Sequence, residues 1–468
     1  MHNARIAVAV KLSGGEVNPF DAAALEWALT IGGEVTVLAM APAGAAEALT
    51  ALTRLGARAV LVTDPHYAGA DTLATARTLA AAVGRLRPDC VFCGRQSMDG
   101  STAQVPPMLA ELLGFSLTSD VMGAEDGHWL VRSGEKVPFG PRRVVVFERC
   151  AALRFPSLLS RPQAPEIWDN AVLRLPPGQC GQRGSPTRVV KAYESTAGRR
   201  RCRFVSADEL PALIRSVARQ PAERPEEAPP SEKRFPLLYY AGDIGAYAER
   251  LAVRAVRLDT EGRTAGDIAR EIAGAPVVLW EDTPALKELA ARTAVRAGAG
   301  LCADCIAFRC EDGAFVMTRP AAGGNVTADI VCTGTTAMAT VRSRRRSGGI
   351  VLGIGRGAAA ELAEITRAAQ ALGAEIACTR PVADSGLLPY AKQAGLTGMT
   401  MAPDVYVALG ISGAVQHTCA VEGAGTIVAV NTDRAARIFD YADYGAVADA
   451  GAVAASLRQL AEKGDNVC

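Results

Sequence analysis

The sequence predicts an α/β protein built from several parallel sheets. Three observations carry that prediction. From residue 5 onward, short apolar runs alternate with stretches of helical period, as in successive βα units. Two of the runs, VYVALGI at 405–411 and TIVAVN at 426–431, end in the turns Ser412–Gly413–Ala414 and Asn431–Thr432–Asp433. Parallel strands are buried on both faces and read as unbroken apolar runs, and open α/β sheets bind ligands in the loops at strand carboxyl ends. The third observation is RQPAERPEEAPPSEKR at 219–234, a proline- and charge-rich linker that divides the chain.

At 468 residues the chain exceeds one hydrophobic core, so two or three domains are expected. Apolar residues make up 49% and charged residues 21%, with 46 glycines, a globular composition. A net charge of +1 gives no global field to recruit nucleic acid or anionic lipid. The start, MHNARIAVAVKL, has too short an apolar segment for a signal peptide, and later apolar runs are broken by glycine and charge. A cytoplasmic protein without membrane insertion is expected. Of twelve cysteines, only Cys90/Cys93 and Cys302/Cys305 are closely spaced, with no second pair to complete a four-cysteine site. Buried, reduced thiols are therefore expected rather than zinc or iron–sulfur ligands.

Taken in order, RIAVAVKL at 5–12 is a buried strand, and NPFDAAALEWAL at 18–29 opens a helix with Pro19 and Asp21 in its first turn. EVTVLAM (34–40), ARAVLVTD (57–64) and CVFCG (90–94) are further strands, separated by helices ending near 55 and spanning 71–86. The last of these strands runs into RQSMDGSTAQVPPMLAELLG. Gly94 and Gly100 loosen that loop; Ser97, Ser101, Thr102 and Gln104 offer donors; Asp99 orients the turn; a helix begins near Pro106–Pro107. A loop of this kind suits a phosphate, although a plain strand–helix connection has the same residues. With no P-loop lysine and no GxGxxG, neither an ATPase nor a standard dinucleotide fingerprint is supported. Residues 127–133 and 142–150 read as antiparallel additions at the sheet edge. Phe155, Leu158 and Leu159 lie in ALRFPSLLSRP at 152–162, either a partner site or packing against the parent domain. Residues 185–195 are extended and 206–219 form a short helix.

Beyond the linker, strands are expected at APVVLWE (275–281), through 302–334 and at MATVRS (338–343), with helices at 264–273 and 284–298. The run Arg344–Arg346 reads as a solvated loop. GGIVLGIGRG at 348–357 starts a fresh strand followed by a glycine-rich turn with Arg356, and a helix over 358–372 follows. Gly410, Gly413, Thr397 and Gly398 sit where backbone can approach phosphates, and Arg380, Gln416 and His417 offer a polar lining for a heteroaromatic cofactor. No Ser–His–Asp or Cys–His arrangement has credible spacing for a nucleophile.

Together these motifs resemble electron transfer flavoprotein, with its two subunits fused in one chain, β-like part first. The β-like signature is NPFD at 18–21, GADTLATA at 69–76 and GRQSMDGSTAQV at 94–105. The α-like signature is LCADC at 301–305, TRPAAGGNVTADIVC at 318–332, TRPVADSG at 379–386, QAGLTG at 393–398, GISGAVQH at 410–417, NTD at 431–433 and ADYGAVAD at 442–449. The resemblance implies Rossmann-like domains: a nucleotide-hydrolase-like β-like domain over 1–184, an arm and helix over 185–218, the linker over 219–234, a shortened α-like domain over 235–347 keeping part of its sheet, and an FAD-binding domain over 348–468. The fused chain is then equivalent to an αβ heterodimer.

The resemblance also implies the FAD contacts. Arg356 would reach the pyrophosphate, and Thr379 and Arg380 the isoalloxazine edge, with the guanidinium favouring an anionic reduced ring. Ala394, Gly395, Leu396 and Thr397 would wrap the cofactor. Ser412, Gly413, Ala414, Val415, Gln416 and His417 would follow, with His417 near the pyrimidine oxygen, and Asn431 and Asp449 would hold the adenosine side. Leu396 stands in place of a glutamine usual in the family, and Leu387 in place of an aromatic residue. The loop at 94–105 is similar to the DGDTAQVG form of flavin-bifurcating members, with Ser101 and Pro106 as departures; it implies a second FAD, with AMP or an empty site as the alternatives. The expected function is an electron shuttle from an acyl-CoA or related dehydrogenase to a quinone reductase or ferredoxin-linked acceptor, bifurcating with NADH if two flavins are held. A nucleotide-binding scaffold without redox turnover is the competing reading.

Overall fold

The computed structural model describes residues 4–194, 199–219, 235–311, 314–342, 348–395 and 398–462. Residues 4–192 and most of 235–341 form one unit, and residues 199–219 with 348–462 form another. Most of the predicted linker and the run Arg344–Arg346 lie outside the described residues. No helix among the described residues is long and apolar enough to cross a membrane.

The first unit begins with β1 (Arg5–Ala9), α1 (Pro19–Ile31), β2 (Glu34–Met40), α2 (Ala46–Thr53), β3 (Arg58–Val62), α3 (Thr72–Leu86), β4 (Cys90–Gly94) and α4 (Val105–Leu113). Then come β5 (Ser116–Glu125), β6 (His128–Val131), β7 (Lys136–Pro138), β8 (Arg143–Phe147) and β9 (Glu166–Trp168). All nine strands form one sheet in the order β9-β3-β2-β1-β4-β8-β5-β6-β7. The βα units are parallel, as expected; β5, β6 and β7 form an antiparallel meander. One expectation is corrected. The 142–150 run is not an antiparallel edge strand: β8 is parallel and lies between β4 and β5. Its core, Val144–Phe147, is buried at every position, which suits an interior strand.

Asp21, buried in the first turn of α1, accepts the backbone N–H of Lys11 (2.8 Å) and of Gly94 (3.0 Å), tying together the chain at the carboxyl ends of β1 and β4. Glycine is required at 94, since a Cβ would lie 2.3 Å from the Asp21 carboxylate. Burial pushes the Asp21 carboxyl up to about 7, against the hydrogen bonds from Lys11, Asn18 and Gly94.

A second sheet of this unit is built from β11 (Leu238–Ala241), β12 (Ala255–Arg257), β13 (Val277–Glu281), β14 (Gly300–Cys305) and β18 (Ala337–Val341). Its five strands are parallel in the order β12-β11-β13-β18-β14. Helices α5 (Gly245–Leu251), α6 (Ala265–Glu271) and α7 (Pro284–Ala297) accompany it. Val277 and Leu279 pack with α5, whereas Val278 and Trp280 pack with α6 and α7, so both faces are covered. Leu73 and Ala76 of α3 and Met108 of α4 join the latter cluster, so the two sheets share apolar packing. A smaller sheet, ordered β10-β17-β16-β15, consists of β10 (Thr187–Glu194), β15 (Ala307–Glu311), β16 (Ala314–Ala321) and β17 (Val326–Cys332).

The second unit holds β19 (Ile350–Ile354), α8 (Leu362–Leu372), β20 (Glu375–Cys378), α9 (Arg380–Asp384), β21 (Val405–Leu409), α10 (Val415–Val421), β22 (Thr426–Asn431), β23 (Tyr444–Val447) and α11 (Ala450–Glu462). The parallel order is β20-β19-β21-β22-β23, extended beyond β23 by the short strand Arg203–Phe204. Helix Leu210–Arg219 buries Leu210 and Ile214 in the same core.

Candidate functional sites at two strand-end crevices

In the second unit β19 is flanked by β20 on one side and β21 on the other. The chain leaves β19 in one direction and β21 in the other, which is where such sheets open a ligand crevice. The two loops touch through backbone: Gly355 N–H donates to Leu409 O (2.8 Å) and Gly357 N–H to Gly410 O (3.1 Å). A Cβ at Gly355 would lie 2.2 Å from the Gly410 carbonyl oxygen, one at Gly413 2.1 Å from Ile438 N, and one at Gly398 2.1 Å from the Gln393 carbonyl oxygen. These glycines are needed for loop-on-loop contact, a reason the sequence reading, which assigned Gly410, Gly413 and Gly398 to phosphate approach, did not see.

Around this crevice Arg356 is exposed two positions beyond the end of β19. Thr379 is buried, its N–H bonded to Ile354 O, and it places Arg380 at the start of α9. Ser412, Ala414 and Gln416 are exposed, alternating with the buried Gly413, Val415 and His417. Ala394 is anchored by its N–H to Cys378 O, and Gly395 follows; Leu396 and Thr397 lie outside the described residues. Asn431 braces the turn, donating from its side-chain amide to Ile411 O and accepting from Asp433 N–H. Asp449 caps α11 through Ala452 N–H (2.8 Å). Both ring nitrogens of His417 have protein partners, Ala394 O at 3.0 Å and the Tyr406 hydroxyl at 2.9 Å. Burial pushes its pKa down to about 4, so it is neutral. Guanidiniums, a hydroxyl and an amide on a strand-end crevice suit a ligand with an anionic bridge and a heteroaromatic ring.

The second crevice lies in the first unit, where β1 is flanked by β2 and β4. The loop from Gly94 to Gln104 leaves this point. Ser97 O accepts Ser101 N–H (2.9 Å), and Ser101 and Ala103 sit at φ of 51° and 54°, the left-handed region that costs an L-residue energy. Asp99 accepts Gly100 N–H and pairs with Lys11 Nζ at 2.7 Å. Partial burial opposes ionisation, yet the hydrogen bonds from Lys11 and Ser97 hold the Asp99 carboxyl down at about 2. Thr102 and Gly100 are half-buried. Gln104 is committed elsewhere: its oxygen accepts from the Thr72 hydroxyl (2.7 Å) and its NH2 donates to Leu301 O (3.2 Å). The loop is also met by β16, where Arg319 Nη2 donates to Ser101 O (3.3 Å), and by Ala322, whose N–H donates to Asp99 O (2.8 Å). Arg319 is only 4% exposed and its Nε has no hydrogen-bond partner.

Sequence reasoning missed Lys11 and Arg319. Lys11 follows the first strand at the point where the sheet order reverses, and that was the signal available. Arg319 lies more than two hundred residues from the loop it meets, and no local pattern announces it.

The sequence matches the family described as Electron transfer flavoprotein domain over residues 6–133 and 259–370. It also matches the Electron transfer flavoprotein FAD-binding domain over 346–422. The chain belongs to the electron transfer flavoprotein family. Protein FixA of Rhizobium meliloti (strain 1021) is 36% identical over 233 residues, covering 43% of this chain and 77% of that protein. Protein FixB of the same organism is 33% identical over 239 residues, covering 40% of this chain and 67% of that protein. The electron transfer flavoprotein subunit beta of Clostridium acetobutylicum is 37% identical over 193 residues, 38% of this chain and 74% of that subunit. This flavoprotein therefore fuses β-like and α-like parts in one chain, with the FAD-binding domain in its C-terminal part, and works as an FAD-mediated electron carrier linking a dehydrogenase to an acceptor.

Proposed function

We propose that this chain carries electrons from an acyl-CoA or related dehydrogenase to a quinone reductase or ferredoxin-linked acceptor, with one FAD in the crevice of the second unit and a second FAD at the loop 94–104. FAD supplies reversible one-electron chemistry when bound. The protein's part is to hold it and set its potential. Arg356, Ser412 and Gln416 are exposed at the crevice and would hold a pyrophosphate, and Arg380 would supply a cation for the negative charge of a reduced ring. Phe155, Leu158 and Leu159 are 96%, 97% and 92% exposed, which supports docking of the donor on this loop.

The observation that carries the second nucleotide is Arg319. A buried guanidinium normally has a carboxylate or an anionic ligand beside it, because an unpaired buried charge is costly. Among the described residues no carboxylate pairs with Arg319, and its one hydrogen bond reaches the loop at Ser101. Lys11 pairs with the loop at Asp99, while the loop's own Arg95 is engaged with Glu148, so Lys11 and Arg319 are the cations that reach the loop from outside it. Two flavins in one chain are what bifurcation with NADH requires.

Denaturing the purified full-length protein and separating the released nucleotides tests this. Two FAD per chain are expected. One FAD with one AMP makes the protein a simple carrier, and one FAD alone leaves the loop structural.

A further inference from the structure

The first sheet is also open at the amino ends of its strands, opposite the loop 94–104. A cavity of about 720 Å³ lies there, where β1 and β3 begin and α3 ends. Four arginines line it. Arg5 and Arg58 are the first residues of β1 and β3, and both are exposed. Arg85 and Arg87 come from the end of α3, so the guanidiniums reach one cavity from separate elements. Convergent charges on a concave surface mark a small-molecule site better than the same charges on a flat face.

Carboxylates answer only part of this charge. Asp89 lies 3.8 Å from Arg5, and Glu166 lies 2.6 Å from Arg58. Glu34 opens β2, between β1 and β3, but does not line the cavity. Among the described residues no carboxylate pairs with Arg85 or Arg87. Cations are favoured at the carbonyl end of a helix, which suits these two residues. That attraction does not account for Arg5 and Arg58, which belong to strands and face the same space.

Two further observations concern the helix arginines. Arg87 closes α3 at φ 51°, a left-handed position where glycine is the cheaper residue. Arg85 is stacked on Trp168, its guanidinium carbon 5.4 Å from the ring centroid. A stacked guanidinium is ordered in advance and still has its N–H donors free for a ligand. Trp168 in turn packs against the core of the first sheet, so the platform is fixed. Val172 and Leu173, from the short helix Asn170–Leu173, add an apolar wall.

We propose that this basin binds the diphosphate group of a small molecule, with Arg85 and Arg87 as its principal ligands and Arg5 and Arg58 completing the charge. A guanidinium presents parallel N–H donors that fit two phosphate oxygens at once. Four of them around one cavity suit several negative charges close together better than a single carboxylate. The volume admits a molecule of nucleotide size, and the apolar wall offers a surface to an organic portion beyond the diphosphate. Arg5 begins β1, whereas Lys11 and the loop 94–104 lie beyond its other end, so this site is separate from the nucleotide proposed there.

The test is calorimetric titration of the full-length, flavin-loaded protein with inorganic pyrophosphate, at physiological ionic strength where scattered surface charge is screened. One saturable site per chain is expected, weakened about tenfold in Arg85→Gln and in Arg87→Gly, the scale of a hydrogen bond to a charged group. Arg87→Gly removes the guanidinium while giving the left-handed position the residue that suits it, so its fold is expected to hold. The flavin absorbance of both variants is expected to match the wild type, which separates this site from the cofactor crevices. A parallel titration with ADP, read as the part lost in Arg85→Gln, identifies the source of the diphosphate. Tighter binding than pyrophosphate assigns a nucleotide-like ligand and binding no tighter assigns the free anion; both support the site. Absence of saturable pyrophosphate binding to the wild-type protein overturns the proposal, and that measurement decides even where a variant fails to fold. Binding that either variant leaves unchanged overturns it as well.

Discussion

Arg380 Nε lies 3.3 Å from Asp384 Oδ2, and the other Asp384 oxygen accepts the Tyr390 hydroxyl at 2.8 Å. The cation proposed for the reduced flavin therefore has its own counter-charge one helical turn away, held from its far side. Arg380→Ala is expected to lower the midpoint potential of the C-terminal flavin and Asp384→Asn to raise it. About 1–3 kcal/mol is the scale of a charge-assisted contact of this kind. A spectroelectrochemical titration of both variants with FAD retained checks the two opposite signs.

Leu158→Ala is expected to slow electron delivery from the donor dehydrogenase while leaving flavin content and melting temperature unchanged. The side chain is almost fully exposed, so truncation removes no core contact, whereas an apolar anchor in an interface can be worth about 2 kcal/mol or more. Stopped-flow reduction by the purified donor measures it; equal rates dismiss the loop as a docking site.

Asp21 gives a pH dependence with a definite sign. Its folded-state pKa is raised to about 7, so between the ordinary value of 3.8 and that point the folded chain holds a proton that the unfolded chain has lost. Its contribution to stability is full below the lower value and is lost as pH rises through the upper one. Asp21→Asn is expected to flatten the fall in stability between about pH 4 and pH 7, a fall of up to about 1.4 kcal/mol per pH unit from this one group. Denaturant melts of the two proteins across that range, compared slope with slope, decide it.

Ala103→Gly addresses the backbone of the 94–104 loop. At φ 54° alanine pays a cost that glycine does not, so the variant is expected to gain about 1 kcal/mol in thermal unfolding. The FAD of the second unit is expected to be unaffected, as read from its visible absorbance.

The βα rhythm was legible because each buried parallel strand is a compact apolar run, as at Cys90–Gly94 and Ile350–Ile354. Ser116–Glu125 was missed because its buried positions, Thr118, Val121 and Gly123, are irregularly spaced and carry too little apolar surface to announce a strand. Without it, the 142–150 run had no neighbour to pair with except an edge. The region 235–347, expected to keep part of a sheet, carries five parallel strands. At the sites, residue types were readable but their commitments were not. Gln104 reads as a free donor in a polar loop, yet both ends of its amide bond to protein groups 32 and 197 residues away. His417 reads as a ligand donor, and nothing local in the sequence shows that its ring nitrogens also meet the carbonyl of Ala394 and the phenol of Tyr406.

Arg203–Phe204 and the helix Leu210–Arg219 complete the sheet and core of the second unit, although both precede the predicted linker in the chain. During synthesis they emerge long before the strand they pair with, Tyr444–Val447, exists. At about 5–20 residues per second the interval is on the order of ten seconds or more. Through that time Leu210 and Ile214 have no core to enter, so the nascent chain presents an apolar helix to chaperones until its last strands arrive. Cutting the gene at the linker would strand that helix on the wrong fragment, and the C-terminal fragment would fold with an open sheet edge and an unfilled groove.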